Sequence, residues 1–388
     1  MLNNISAEGL QRLPRDRYEV AADIGQPDAI LVRSAKMHDM VLPDSVLAVA
    51  RAGAGVNNVP VAAMSKRGIP VFNAPGANAN AVKELVVAGM LLGARNLCQA
   101  WEFVGHLKEE GAALDKAVEA GKKQFVGFEL PGRTLGVIGL GAIGVQVANA
   151  AQALGMRVVG FDPQITVERA WQLSSTVEQA RNLDELFSRA DFVTVHVPLM
   201  DATRGLINEA RIRLMPKKAI VLNFSRGEIV DEAAIIAALG DGRLTAYICD
   251  FPSRALIGNP RVIALPHLGA STYEAETNCA VMVAENLRSY LEDGVIRYSV
   301  NFPEADVPRT GSHRLTIANA NVPNMVGQIS TCLGDAGLNI ADLLNKSRGE
   351  IAYTIVDLDG ETTDGTLARI RSIPGVLNVR NLGSGSAS

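Results

Sequence analysis

The chain has 388 residues, 48% of them hydrophobic and 20% charged, which is the make-up of a globular protein of two or three domains. A net charge of −4 leaves no basic stripe for nucleic acid and no polybasic patch for a membrane, and no apolar run approaches the roughly 18 residues needed to span a bilayer. The first residues, MLNNISAEGLQRL, lack the pattern of a secretory leader. Cys98, Cys249, Cys279 and Cys332 are scattered with no C-x-x-C pair, so four buried free thiols, a cytoplasmic location and no metal site are expected.

In residues 1–93, short apolar runs alternate with turn material. Ala29–Arg33, Val46–Arg51 and Pro70–Asn73 are strand candidates, each followed by a polar or glycine-rich turn, and together they predict a small α/β unit. Lys83–Leu97 reads as a long apolar helix leading into the next domain. Leu135–Gly144 (LGVIGLGAIG) is then an apolar strand running into G-x-G-x-x-G, with Gly139, Gly141 and Gly144 enclosing Ala142 and Ile143. Such a motif counts only in context, and the context is here. Val145–Leu154 has helical spacing and ends at Gly155, and Arg157–Phe161 is a second strand ending in Asp162. Glycines permit the tight turn and the close approach of a pyrophosphate to a helix N-terminus. Asp162 accepts hydrogen bonds from ribose hydroxyls and repels a 2′-phosphate. No Arg or Lys follows before Arg169, so NAD is expected over NADP.

Four further strand candidates follow: Phe192–His196, Ala219–Asn223, Thr245–Asp250 and Val262–Leu265. The stretches between them look helical, such as Asp231–Leu239. Six strands alternating with helices predict a doubly wound parallel sheet. Thr272–Leu291 is another long helix, read as crossing back to the first domain. Phe302–Gly311 has the proline and charge content of a linker. Beyond it, His313–Asn321, Met325–Ala336, Asn339–Lys346, Ile351–Asp357, Leu367–Ile373 and Val376–Asn381 spell β-α-β-β-α-β, a ferredoxin-like module. The tail, GSGSAS, is expected to be disordered.

Ligands of open α/β sheets lie beyond the carboxyl ends of the strands. Those ends deliver the glycine loop, Asp162, His196-Val197-Pro198, Phe224-Ser225-Arg226, Asp250 and Pro266-His267. For any one of them a helix cap or a turn is the plain alternative. Arg226 is the candidate for a planar guanidinium that would clamp a substrate carboxylate at two points. His267 is the candidate acid/base that a 2-hydroxy acid substrate would need as its hydride departs, or a capped loop histidine. His38 and His106 read as surface residues, His196 as a backbone contact to the cofactor, and His313 belongs to the last module. Arg33 and Arg51, at strand ends, suit a phosphate, or are a pair of solvated arginines.

GLGAIG with Asp162, HVPL (196–199), NFSRG (223–227) and PHLGAST (266–272) resemble the D-isomer-specific 2-hydroxyacid dehydrogenases. RAGAGVNN (51–58) and NAPGANANAVKEL (73–85) are similar to the members that act on 3-phosphoglycerate, and the C-terminal module resembles a regulatory ACT domain. The resemblance implies a two-lobed doubly wound α/β dehydrogenase. A Rossmann NAD-binding lobe would span 94–268, and a flavodoxin-like substrate lobe 1–93 with 269–303, the two closing a cleft. A linker at 304–311 and an ACT domain at 312–388 would follow. It implies that Arg226 and His267 are catalytic. Arg33, Ser34, Arg51, Gly53, Gly55, Val56 and Asn78 would meet substrate. Val197, Pro198, Thr203, Phe224, Ser225, Asp250, Gly269 and Ala270 would join the glycine loop at NAD. A homodimer or homotetramer with an amino-acid effector, L-serine first, would complete the picture.

The chain departs from this pattern in two places. The family's glutamate that pairs with the histidine is absent from DFPSRALIGNP (250–260), where Arg254 stands in its place. A carboxylate would orient the imidazole and favour its charged form; a cation does the opposite, unless Glu274 substitutes. In the last module Asn319, Asn321 and Asn339 occupy the effector positions without the usual histidine, and Asn324 replaces a glycine after Pro323. Two rivals stay open: a glyoxylate or hydroxypyruvate reductase on the same fold, and an NAD-sensing binding protein with little turnover.

Overall fold

The computed structural model describes residues 1–310 and 313–384. Two compact units emerge, Met1–Asn78 with Glu276–Ser388, and Ala79–Ala275. The expected domain limits at 93/94 and 268/269 thus move to 78/79 and 275/276. The physical reason is the helix Ala79–Arg95, whose apolar face packs on the second unit's sheet. Cβ atoms added at Gly89 and Gly93 would lie 3.0 and 3.1 Å from Leu222 and Ile220.

In the first unit, β1 (Ala29–Val32), β2 (Ala48–Arg51) and β3 (Val71–Phe72) form a parallel sheet in that order, with Val32 opposite Arg51. Helix Tyr273–Asp293 buries Cys279, Ala280, Val283, Ala284, Leu287 and Tyr290, a stripe with i, i+3/i+4 spacing, against Leu31, Ala48, Ala50 and Phe72.

The second unit holds a seven-stranded parallel sheet. Its strands are β4 (Thr134–Ile138), β5 (Arg157–Phe161), β6 (Glu178–Gln179), β7 (Phe192–Val195), β8 (Ala219–Asn223), β9 (Leu244–Cys249) and β10 (Val262–Ala264). Their spatial order is β10-β9-β8-β7-β4-β5-β6, and chain direction across the sheet reverses between β4 and β7. The six expected strands are present. Strand β6 is an addition, because two exposed polar residues at a sheet edge carry no apolar signature.

The C-terminal module contains β11 (His313–Ala320), β12 (Ile340–Arg348), β13 (Ile351–Leu358) and β14 (Val376–Ser384), antiparallel in the order β12-β13-β11-β14. With helices Met325–Asp335 and Asp364–Arg371 it is the predicted β-α-β-β-α-β fold. One face of its sheet packs on its own helices through Leu315, Ile317, Val356 and Ile329. The other face places Ala318, Tyr353 and Ile355 in one core with Phe72, Tyr290 and Phe302. Ala305 and Ile296 exchange backbone hydrogen bonds of 2.8 and 3.0 Å. Arg314 and Asp357, both fully buried, bond each other at 2.6 and 2.8 Å. Arg314 also donates to the carbonyls of Asp293, Val307 and Pro308. Of the expected tail, Gly383 and Ser384 finish β14, and residues 385–388 lie outside the described residues, as does Gly311 of the expected linker.

Candidate active site

Three positions of the β4 loop need glycine for different reasons. Gly139 has φ +86°, and a Cβ there would sit 2.6 Å from the His196 carbonyl. A Cβ on Gly144 would lie 1.9 Å from the Gly139 carbonyl, whereas the same atom on Gly141 meets open space. Helix Ala142–Ala153 starts from Gly141 without a side-chain cap, so the amides of its first turn, including Ala142 and Ile143, are left for an anion. Asp162, at the end of β5, accepts from the Leu140 amide (2.8 Å) and the Gln164 amide (2.8 Å). This anchors its carboxylate beside the loop with further acceptor sites for hydroxyls. The open approach at Gly141, the uncapped helix start and the anchored acid fit a dinucleotide.

On the other side of the switch point, the His196 amide donates to the Ile138 carbonyl, and its ring Nε2 shares a hydrogen bond of 3.0 Å with Thr194 Oγ1. Burial pushes the His196 imidazole down to about 3, so the ring stays neutral, and its Nδ1 has no hydrogen-bond partner among the described residues. Val197 touches the glycine turn, and Pro198 follows exposed to solvent. Thr203 ties its hydroxyl to Pro198 and Met200, which shapes that loop. After β8, Phe224 is buried in the core, its ring beneath Gly89. Ser225 bonds the Val195 carbonyl (2.7 Å). Asn223, fully buried, donates to the Arg226 carbonyl (2.8 Å) and accepts from the Ser225 amide (3.1 Å). Arg226 is half-buried, with extended backbone.

His267 stands exposed at φ +55°, a left-handed backbone that costs a residue with a Cβ on the order of 1–3 kcal/mol. Asp250 holds it there. The Asp250 carbonyl accepts the His267 amide (3.1 Å), and its 1%-exposed carboxylate accepts Leu268 N (2.7 Å) and Gly269 N (2.8 Å). Ala270 follows, half-buried. Neither Arg254, which stands in the missing acid's place, nor Glu274, the candidate substitute, bonds the imidazole among the described residues. Arg254 is exposed on the turn 254–258, and Glu274 is exposed at the next helix start; neither makes an ion pair or hydrogen bond among the described residues. Instead the imidazole packs on Phe251, with ring centroids 4.5 Å apart, and the Arg226 guanidinium lies 5.5 Å from the same ring. The sequence reading assigned no role to Phe251 or Asn223. Their signals were their places, one directly after Asp250 and the other opening NFSRG.

In the first unit, Arg33 follows β1 and Arg51 ends β2, and Arg51 Nε donates to the Arg33 carbonyl at 3.0 Å. The Arg33 guanidinium pairs with Glu276. The Ser34 amide bonds Asn3 (3.0 Å). Gly53 has φ +157° and its carbonyl accepts the Ala74 amide (3.0 Å). Gly55 and Val56 are half-buried in the loop that follows, and Asn78 presents a buried Oδ1 with no hydrogen-bond partner among the described residues. These residues gather at the carboxyl ends of β1–β3, as expected.

The expected effector residues do not gather. Asn319 is buried near the end of β11, and Asn321 donates to the Gly349 carbonyl (3.0 Å). Asn339 pairs with Asp359 at the opposite end of the sheet. The seven steps of β13 between those ends amount to roughly 24 Å. Asn324 has φ +63°, the left-handed backbone that a glycine would also supply. Cys98 is half-buried rather than buried, and the other three thiols are buried and free. His38 and His106 are exposed, as expected. Among the described residues no cluster could hold a metal, and no helix is long and apolar enough to cross a membrane.

The D-isomer specific 2-hydroxyacid dehydrogenase NAD binding domain matches residues 87–269. The chain is 37% identical to the D-3-phosphoglycerate dehydrogenase of Methanocaldococcus jannaschii, over 88% of this chain and 64% of that one. It is 35% identical to that of Haemophilus influenzae, over 84% and 79% respectively. It thus spans under two thirds of the first relative's length and over three quarters of the second's. Among solved structures it is similar to the NAD+-bound 3-phosphoglycerate dehydrogenase of Entamoeba histolytica, with 26% identity and a TM-score of 0.58 over 77% of this chain and 97% of the other. With the dinucleotide cradle, Arg226 and His267 on one sheet edge, the chain belongs to the D-isomer specific 2-hydroxyacid dehydrogenase family.

Proposed function

We propose that this chain oxidises the C2 hydroxyl of 3-phospho-D-glycerate to 3-phosphohydroxypyruvate with NAD, the step that opens L-serine synthesis, in the cytoplasm. The observation that carries this reading is the carboxyl edge of the seven-stranded sheet. There the uncapped helix start at Gly141 and the anchored Asp162 share an edge with Arg226 and His267. Bound NAD supplies a hydride acceptor. Arg226 clamps the substrate carboxylate and polarises the developing carbonyl, and His267 takes the hydroxyl proton. Arg33 and Arg51 would take the phosphate, with Glu276 holding Arg33 ready at the strand end. A hydrogen bond to a charged group contributes about 1.5–3 kcal/mol, so kcat/KM for 3-phosphoglycerate should exceed that for D-glycerate about 10- to 100-fold. NADH formation with 3-phosphoglycerate and a panel of unphosphorylated 2-hydroxy acids is the test. Preference for glyoxylate or hydroxypyruvate in the reverse direction would favour the reductase reading, and no turnover with tight NAD binding would favour a sensor.

We also propose a homodimer or homotetramer, supported by the exposed Leu97, Trp101 and Val104 on helix Leu97–Gly105, and light scattering measures it. The C-terminal module would take an amino acid such as L-serine. With the asparagines at opposite ends of the sheet, such a site would join Asn319 and Asn321 of one copy to Asn339 of another. Titration calorimetry without heat from L-serine would leave the module structural.

A further inference from the structure

We propose that Phe251 is the positioning residue for both Arg226 and His267, doing with an aromatic face what a paired carboxylate would otherwise do. The proposal rests on the dehydrogenase reading of those two residues. No carboxylate bonds the imidazole among the described residues. Asp250, the acid at the end of β9 that anchors the His267 loop, has both oxygens engaged by the Leu268 and Gly269 amides. The loop's main chain is therefore fixed, while among the described residues the ring packed against the imidazole is that of Phe251, at 4.5 Å and tilted 49°. The Arg226 guanidinium carbon stands 5.5 Å from the same ring centroid, within the range of a cation–π contact. Phe251 itself is half-buried and sits on the main chain just past β9, with the backbone of Gly227 beside it.

One ring touching both groups has a chemical consequence. During oxidation the C2 hydride leaves for NAD, the C2–O bond becomes a carbonyl, and the hydroxyl proton passes to the imidazole. His267 is then a cation. The negative π-face of Phe251, already holding one guanidinium, is the group present to stabilise it and to fix the plane in which the proton is received. A carboxylate would serve His267 alone. Phe251 also ties the position of the acid/base to that of the carboxylate clamp, so both should loosen when the ring is removed.

The test compares Phe251→Leu and Phe251→Trp in the full chain. Phe251→Leu should lower kcat at least tenfold and raise the solvent deuterium isotope effect on kcat, because proton transfer is misaligned. It should raise KM for the hydroxy acid a few-fold and leave NADH affinity within twofold. Phe251→Trp should restore kcat to within threefold of the parent. Wild-type kcat in Phe251→Leu, a loss without a larger isotope effect, or a Trp variant as slow as Leu would each overturn the proposal. Should Phe251→Leu fail to fold, the same isotope effect and KM–kcat split are read on Phe251→Met. His267→Asn and Arg226→Gln separate the two levels. If both retain turnover, the reading of the site fails; if both lose it while Phe251→Leu does not, only the role of Phe251 fails.

Discussion

Replacing Arg314 by methionine tests how firmly the C-terminal module is built into the first unit. The guanidinium is 0% exposed and makes two bonds to Asp357 and three to backbone carbonyls of Asp293, Val307 and Pro308. Methionine keeps much of the volume but leaves the Asp357 carboxylate, among the described residues, with the Thr310 amide and hydroxyl. Removing one partner of a buried pair costs about 3–5 kcal/mol, and a unit of 150–250 residues loses about 2–4 °C per kcal/mol. The expected fall in Tm is therefore roughly 6–20 °C. The sign with pH can also be worked out. Burial works to raise the Asp357 carboxyl, but the Arg314 hydrogen bonds and the Thr310 amide outweigh it, so the folded value lies below the ordinary one. A depressed carboxylate contributes stability that is complete above the unfolded value of about 3.9 and is lost as pH falls through the folded one. In Arg314→Met the desolvated carboxyl shifts upward instead. The deficit should thus be largest near pH 8 and narrow towards pH 4. Calorimetric unfolding across that range is the assay, and Arg314→Met with Asp357→Leu should recover much of the loss. A Tm change under about 3 °C, or a deficit constant with pH, would refute the reasoning.

Three further outcomes are expected. Gly144→Ala, whose new methyl would lie 1.9 Å from a backbone carbonyl, should weaken NADH binding by more than about tenfold in a fluorescence titration, and unchanged affinity would sink the loop assignment. Asp162→Ala removes the acceptor for the ribose hydroxyls and should cut the NAD-over-NADP preference about 10- to 100-fold, measured as a ratio of kcat/KM. Asn324→Ala places a methyl on a backbone at φ +63° and should cost about 1–2 kcal/mol in urea unfolding, while Asn324→Gly should be neutral or better.

Much of the site was readable along the chain because its parts are local. A buried parallel strand must be a short apolar run, its carboxyl end must expose polar residues, and a tight turn against a helix must be glycine. Leu135–Gly144, Asp162, Arg226 and His267 carry those signatures themselves. Thr203, Phe224 and Asp250 were harder, since their neighbours decide whether the side chain faces a ligand or holds the loop. The structure gives Thr203 and Asp250 to loop amides and carbonyls and Phe224 to the core.

The sequence by itself determined the order of strands and helices, the dinucleotide loop and the β-α-β-β-α-β module, because hydrophobic period and glycine placement act within a few residues. Tertiary structure alone decided three things. It seats helix Ala79–Arg95 on the second unit, draws the C-terminal module into a shared core through Tyr353 and the Arg314–Asp357 pair, and brings Phe251 against both Arg226 and His267. Each depends on contacts between residues far apart along the chain or on different loops. The free energy of burying a charge or stacking a ring there is set by what the fold puts beside it, which no local pattern records.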